Sequence, residues 1–178
     1  RRGHNGPMTF PRYNQAQIEK DLQKKMVLLA GPRQVGKTTL AQSLAAGAQQ
    51  YFNFDAVRDR KIILRQEWSG ETRLVVLDEI HKMKSWKRWL KGVWDTQKDR
   101  HQFLVTGSAR LDFVRRSGES LAGRYFLHRL HPLSVAELKK SLPARDALHR
   151  LLQFGGFPEP FFGNDSIEAE RWRRGHVD

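Results

Sequence analysis

The chain has 178 residues, no cysteine, and a formal net charge of +13 from 32 basic and 19 acidic residues. This length suffices for one α/β domain with a buried core and a small appendage. The lack of cysteine excludes disulfides and thiolate metal sites, and no run of about 18 apolar residues predicts a membrane span. Without a signal-peptide pattern, we expect a cytoplasmic protein. The basic charge is typical of proteins that bind nucleic acid, and it also fits a merely solvated surface.

Short apolar runs alternate along the chain with segments of helical periodicity, an order typical of a parallel sheet covered on both faces. Strands are predicted at residues 26–30, 51–54, 74–77, 103–106 and 125–130. Helices are predicted at 37–46, 57–67, 135–140 and 144–154, with a last helical segment around 171–174.

A tryptophan-rich segment follows Ser85, which is the predicted N-cap of another helix. Its apolar residues fall at helical spacing on one stripe: Trp86, Trp89, Leu90, Val93 and Trp94. Tryptophans beside lysine and arginine are compatible with stacking on nucleic-acid bases or with packing beneath the sheet. The spacing favours packing.

Residues 31–38 read GPRQVGKT and match the phosphate-binding pattern G-x-x-x-x-G-K-[ST]. The motif follows a predicted buried strand and opens a helix, whose positive end favours phosphate. Gly31 and Gly36 permit the tight turn that directs backbone N–H groups inward. Lys37 is expected to contact the β- and γ-phosphates, and the Thr38 hydroxyl to bind Mg²⁺. The alternative is a glycine-rich turn with an exposed lysine.

The predicted nucleotide-binding residues are Gly31, Pro32, Arg33, Gln34, Val35, Gly36, Lys37, Thr38 and Thr39.

The third predicted strand ends in Asp78 and Glu79. An apolar strand ending in aspartate is the Walker B arrangement, in which the carboxylate holds Mg²⁺. Glu79 is then placed to polarise a water molecule for attack on the γ-phosphate. The alternative is that both carboxylates merely cap the following helix.

The fourth predicted strand ends in Thr106-Gly107-Ser108. A hydroxyl of Thr106 or Ser108 at this strand end would lie near the γ-phosphate and help to place the attacking water. Ser108 is equally suited to be the N-cap of a following helix, and the two roles are compatible.

Five blocks together resemble a known family: GPRQVGKTTL (31–40), LVVLDEIHK (74–82), FLVTGSARL (103–111), LAGRYFLHRLHPLSVAEL (121–138) and GGFPEP (155–160). In this order they are similar to the prokaryotic AAA+ ATPases whose AAA_14-type P-loop domain precedes a DUF4143-type C-terminal domain. The resemblance covers roughly residues 12–174.

The resemblance implies an AAA+ fold in which the fourth strand lies between the first and the third, and it implies adenine as the base. Lys37 and Thr38 correspond to Walker A, Asp78 and Glu79 to Walker B, and Thr106 or Ser108 to the polar sensor. It also implies that Arg124 supplies a guanidinium to the phosphates, with Arg110 as the second candidate. Such an arginine acts within its own chain or across the boundary of a homo-oligomer.

The expected fold is therefore an AAA+ type P-loop NTPase with a five-stranded parallel sheet flanked by helices. Residues 1–11 are expected to form a tail, 12–132 the ATPase core and 133–178 a small helical lid. The family's C-terminal domain is not in this sequence, so we expect a chain truncated after the lid, with that domain as a partner.

The function expected is Mg²⁺-dependent binding and hydrolysis of ATP to ADP, which drives a conformational change in an attached or partner domain. The first alternative is a nucleotide-dependent switch with little turnover. The second is a nucleic-acid-binding module that uses two basic clusters, Lys82-Lys84-Lys87-Arg88-Lys91 and Arg171-Arg173-Arg174. A P-loop kinase is disfavoured, because Glu79 suits the activation of water.

Overall fold

A computed structural model describes residues 11–44, 49–107 and 121–177. Their contacts form two compact units. The first comprises the described residues of Arg1–Gly31 and Lys37–Arg129, and the second those of Pro32–Gly36 and Leu130–Asp178.

The first unit is a parallel sheet with helices. Its strands are β1 (Met26–Ala30), β2 (Gln49–Asn53), β3 (Leu74–Asp78), β4 (Gln102–Gly107) and β5 (Tyr125–Arg129). Its helices are α1 (Gln15–Leu22), α2 (Lys37–Ser43), α3 (Val57–Arg65) and α4 (Trp86–Gln97), with a short 3₁₀ turn at Ile80–Lys82.

All five strands are parallel and lie in the order β2-β3-β4-β1-β5. This confirms the predicted sheet and the insertion of the fourth strand between the first and the third. The register pairs Thr106 of β4 with Asp78 of β3, and Gly107 of β4 with Ala30 of β1. The ends of the three central strands therefore meet at the carboxyl edge of the sheet.

The core lies on the sheet. Every residue of β1 and β3 is buried, as expected of parallel strands covered on both faces. Leu90 and Val93 of α4 are fully buried in this core, while Trp86, Trp89 and Trp94 are half-buried and pack against it. The packing interpretation of the tryptophan stripe is thus confirmed. Ser85 occupies the N-cap position of α4, but its side chain makes no capping hydrogen bond.

The second unit contains α5 (Val135–Leu138), α6 (Ala144–Phe154), α7 (Pro158–Gly163) and α8 (Ser166–Val177). Ser134 begins α5 with a capping box, in which its hydroxyl and the Glu137 side chain each bond the other residue's backbone. Gly156 packs closely against the backbone of Leu133. A Cβ atom at position 156 would lie only 2.8 Å from the Leu133 carbonyl oxygen, so no larger residue fits without a shift. This contact explains one glycine of the GGFPEP block.

Two helices were not predicted from the sequence. Helix α1 carries only Ile18 and Leu22 as large apolar residues, too few for a clear periodicity. Helix α7 begins at Pro158 within a segment interpreted as a turn. Proline suits the first helical position because its missing N–H would have no partner there.

Candidate nucleotide-binding site

The loop between β1 and α2 has an unusual backbone. Gln34 and Gly36 both have positive φ, at 61° and 95°. Glycine adopts this region without a steric penalty, whereas a glutamine there is strained, a feature that clusters at functional sites. The Lys37 ammonium donates to the Gly31 carbonyl oxygen at 3.0 Å. The Lys37 side chain therefore folds back over the loop toward its first residue. This places its positive charge at the loop that is predicted to bind phosphate.

Asp78 is the centre of the polar cluster at the carboxyl edge. Only 6% of it is exposed, and both carboxylate oxygens accept hydrogen bonds. Oδ1 accepts from the Thr106 hydroxyl at 2.6 Å and from the Glu79 backbone N–H at 3.0 Å. Oδ2 accepts from the Tyr51 hydroxyl at 2.5 Å and from the Thr38 hydroxyl at 3.3 Å. These four hydrogen bonds fix the position and orientation of the Asp78 carboxylate.

The parallel topology produces this arrangement. Thr106 is fully buried and lies beside Asp78 in the register of β3 and β4. Thr38 reaches the same carboxylate from the first turn of α2. A hydroxyl and a carboxylate at 3.3 Å are hard oxygen donors of the kind that Mg²⁺ prefers, so Thr38 and Asp78 fit a magnesium ion. Among the residues that the structure describes, no group of three His, Cys, Asp or Glu side chains could hold a metal by itself.

Glu79 follows Asp78 with a left-handed backbone, φ 58° and ψ 17°. Its side chain makes no capping hydrogen bond to the 3₁₀ turn, so the capping alternative has no support from the geometry. The Glu79 carboxylate instead lies 3.3 Å from the Lys82 ammonium and 3.7 Å from His81 Nε2. A strained backbone that presents a partly exposed carboxylate is consistent with a chemical role.

Lys82 is held on its other side by Asp55. The hydrogen bond with Asp55, followed by that with Glu79, raises the pKa of Lys82 above its ordinary value. The two carboxylates thereby keep a positive charge beside Glu79.

Tyr51 and Asp55 are site residues that the sequence interpretation missed. Tyr51 is half-buried, and burial followed by its hydrogen bond to Asp78 raises its pKa well above the usual range. The phenol therefore remains a donor to Asp78. The alternation of residues along β2 predicts which side chains share a face of the sheet with Tyr51, but it does not predict a contact with Asp78. That contact depends on β2 lying beside β3, which only the sheet order shows.

Arg124 is not part of this cluster. It directly precedes β5, and its carbonyl accepts from the Met26 N–H at the amino end of β1. Five residues of strand span about 16 Å, so Arg124 lies at the opposite edge of the sheet from the loop after Ala30. Its guanidinium makes two hydrogen bonds to Asp95, at 2.8 and 3.2 Å. A contact with the phosphate site of its own chain is incompatible with this position, which corrects that alternative.

Ser108 and Arg110, the other candidates from the fourth-strand block, lie outside the described residues. None of the described helices is long and apolar enough to cross a membrane.

A parallel sheet in this strand order, with a P-loop after β1 and a buried aspartate at the end of β3, defines a P-loop NTPase of the AAA+ class. A protein-family model described as an AAA domain, AAA_14, matches residues 23–139. The chain belongs to this family, and nucleotide binding and hydrolysis are the activities that the family supports.

The chain is also similar to two mycobacterial proteins, each 33% identical over 160 residues. They are uncharacterized proteins Rv2008c of Mycobacterium tuberculosis and Mb2031c of Mycobacterium bovis. The matched region covers 85% of this chain and 34% of each relative. The chain thus spans about a third of the length of these relatives.

Two solved structures show the same fold. RuvB of Thermotoga maritima, solved as a point variant, has a TM-score of 0.56 at 19% identity, and the match covers 90% of this chain and 60% of RuvB. The Aeropyrum pernix ORC1 protein, solved in complex with DNA, has a TM-score of 0.57 at 15% identity, and the match covers 95% of this chain and 63% of ORC1. At these identities the similarity concerns the fold alone.

Proposed function

We propose that this chain binds ATP with Mg²⁺ and hydrolyses it to ADP and phosphate. The observation that carries the proposal is the Asp78 carboxylate, buried at the end of β3 and hydrogen-bonded to hydroxyls from α2, β2 and β4. A carboxylate fixed this firmly beside the Thr38 hydroxyl is suited to hold a metal–phosphate complex without rearrangement.

Thr38 and Asp78 would hold the magnesium ion, which when bound neutralises charge on the phosphate oxygens. The Lys37 ammonium would leave the Gly31 carbonyl oxygen for the β- and γ-phosphates. Backbone N–H groups of residues 31–39 would bind the remaining phosphate oxygens.

Glu79 would accept the proton of the attacking water. The water oxygen forms a bond to the γ-phosphorus, and the bond from that phosphorus to the bridging oxygen breaks, so ADP leaves with the electron pair. Thr106 would position the water or the γ-phosphate, with Ser108 as a second hydroxyl for this role. Lys82 would orient the Glu79 carboxylate through their 3.3 Å contact.

Hydrolysis would drive a conformational change in the helical segment 133–178, acting as a lid, or in a C-terminal domain of the kind that the resemblance implies. Any role of Arg124 at the phosphates would require a second copy of the chain. We further propose a cytoplasmic location and adenine as the preferred base.

The first experiment measures steady-state phosphate release from MgATP, together with nucleotide binding by a fluorescent ATP analogue. We expect Lys37→Ala to lose binding, and Glu79→Gln to bind ATP while turnover falls about 100-fold or more, the usual contribution of a general base. Exposed residues outside the site provide matched controls, Lys20→Ala and Glu71→Gln. Both should retain turnover within about twofold.

If the wild type binds MgATP but releases no phosphate, the chain is a nucleotide-dependent switch and the hydrolase proposal is wrong. If Glu79→Gln turns over at the wild-type rate, Glu79 is not the general base. Phosphate release that survives Lys37→Ala would point to a contaminating phosphatase.

A further inference from the structure

A second polar region lies at the amino end of the sheet, opposite the nucleotide site. There a groove of about 410 Å³ opens between the end of α1, the start of β3 and β4, and the segment that follows α4. Its charged lining residues are Lys24, Arg73, Lys98, Asp99 and Arg100. Four cations and one carboxylate give the groove a net charge of about +3.

The cations of this groove are exposed and uncommitted. Lys24, Arg73, Lys98 and Arg100 are all exposed, and no carboxylate of the described residues lies within 4.0 Å of their nitrogen atoms. Arg73 makes a single long hydrogen bond of 3.4 Å to the neutral Gln23 side chain. Their charges are therefore available to an external anion.

Helix α4 continues the basic surface away from the groove. Arg88, Lys91 and Lys98 recur at helical spacing, and the only acidic residue on this stripe is Asp95. Arg124 pairs with Asp95 through two hydrogen bonds and, with a further contribution from Lys91 and Lys98, holds the pKa of that carboxyl below its ordinary value. Asp95 stays ionised, and Arg124 compensates its negative charge. The stripe therefore remains positive along about 15 Å of helix.

The arginines of the other basic cluster, in α8, make contacts to carboxylates and backbone carbonyl oxygens. In α8, Arg171 pairs with Glu168 at 2.8 Å and Arg174 pairs with Glu170 at 2.5 Å. Arg173 donates to the carbonyl oxygens of Ala169 and Gln153. The two clusters therefore differ. Lys82 of the first cluster is paired at the nucleotide site, but Arg88 and Lys91 lie on α4 with no carboxylate within 4.0 Å among the described residues, whereas Arg171 and Arg174 are paired with glutamates.

We propose that the surface formed by the groove and the α4 stripe binds the phosphate backbone of duplex DNA. A duplex carries a phosphate of each strand about every 3.4 Å along its axis, so the stripe alone spans about four of them. Single strands usually require exposed aromatic faces for base stacking. The aromatic residue in the groove, Trp94, is half-buried and packs edge-on to Phe103. Contacts to phosphates without base contacts predict binding that does not depend on sequence.

The test is fluorescence anisotropy of a labelled duplex of about 24 base pairs and mixed sequence, titrated with the protein at several salt concentrations from about 50 mM upward. We expect the logarithm of the binding constant to fall linearly with the logarithm of salt. The double variant Lys98→Gln/Arg100→Gln should bind about tenfold or more weakly and reduce the steepness of that slope by about 2.

The matched control is Arg171→Gln/Arg174→Gln, which removes the same net charge from paired arginines. It should keep the wild-type slope and bind within about twofold of the wild type. Both double variants should retain the melting temperature and MgATP affinity of the wild type, because neither changes a nucleotide-site residue.

Three results would overturn the proposal. They are no duplex binding at about 50 mM salt, equal weakening in both double variants, and tighter binding of the corresponding single strand. None of these outcomes depends on hydrolysis, so the test is independent of the proposed ATPase activity.

Discussion

The two ends of the sheet carry polar groups in opposite states. At the carboxyl end, Asp78 and Thr106 are buried, and the carboxylate is fully hydrogen-bonded. At the amino end, Lys98 and Arg100 are exposed and have no carboxylate partner within 4.0 Å among the described residues. The buried arrangement suits catalysis, because its dipoles need not reorganise during the reaction. The exposed cations suit electrostatic attraction to a polyanion, an attraction that dissolved salt weakens.

The distance between these regions makes them separable by mutation. Each strand has five or six residues, so the two ends lie about 16 Å apart, beyond the range at which substitutions usually couple. Substitutions at one end should therefore leave the property of the other end unchanged.

The largest effect is expected from Asp78→Asn. In the wild type, the hydroxyls of Thr38, Tyr51 and Thr106 donate to two carboxylate oxygens. An asparagine offers them only one acceptor oxygen, and its N–H₂ group is itself a donor that would face one or more of these hydroxyls. Turnover should fall about 100-fold or more, and the free energy of unfolding should fall by about 1–3 kcal/mol because the buried Thr106 hydroxyl and the half-buried Tyr51 hydroxyl lose part of their acceptor. Phosphate release and urea denaturation measure the two quantities.

Asp99→Asn is the matched change at the amino end. This exposed groove carboxylate is the same size and charge as Asp78, yet its substitution should leave turnover within about twofold and tighten duplex binding. A loss of turnover as large as that in Asp78→Asn would contradict the separation of the two ends.

A smaller effect is expected from Tyr51→Phe, which removes one of four hydrogen bonds to Asp78. We expect a loss of about 0.5–1.5 kcal/mol in the free energy of unfolding near neutral pH, since Asp78 keeps three other donors. Turnover should fall less than in Asp78→Asn, with a changed Mg²⁺ concentration at half-maximal rate. An unchanged Mg²⁺ dependence would limit Tyr51 to a structural role.

The Tyr51 effect should also depend on pH. Burial and the hydrogen bond to Asp78 raise the pKa of Tyr51 above its ordinary 10.0, so the folded protein holds this proton more tightly than the unfolded chain. Its contribution is therefore complete below pH 10.0 and is lost as the pH rises toward the raised pKa. In urea titrations, the stability difference between wild type and Tyr51→Phe should be constant up to about pH 9 and shrink above about pH 10.

The smallest effect is expected from Arg124→Gln. Its guanidinium lies on Asp95 at the amino end, so phosphate release by dilute protein should remain within about twofold of wild type. A defect that grows with protein concentration would instead show that Arg124 acts on a second copy of the chain. A defect independent of concentration would contradict the separation of the two ends.

Local signals in the sequence determined much of this protein. The GPRQVGKT loop, the apolar run that ends in Asp78 and the helical spacing of Trp86, Leu90 and Val93 are short-range patterns, and each predicted an element that the structure contains. Boundaries were predicted less accurately: β2 begins at Gln49, two residues before its predicted start, and α3 ends at Arg65, two residues before its predicted end. Such ends depend on hydrogen bonds and packing against neighbours distant in sequence.

Tertiary structure alone decided which polar residues meet. The strand order places Tyr51 on Asp78 and sends Arg124 to the far edge of the sheet, although the sequence suggested Arg124 and provided no signal for Tyr51. It also gathered the cations of Lys24, Arg73, Lys98 and Arg100 around one groove, with no carboxylate partner within 4.0 Å among the described residues. The α8 pairs Arg171–Glu168 and Arg174–Glu170 are different, because their helical spacing is already visible in the sequence. The physical reason is range. Turns, helices and buried strands follow from neighbouring residues, whereas the Tyr51–Asp78 and Arg124–Asp95 contacts join side chains distant in sequence that only the packed fold brings within a few ångströms.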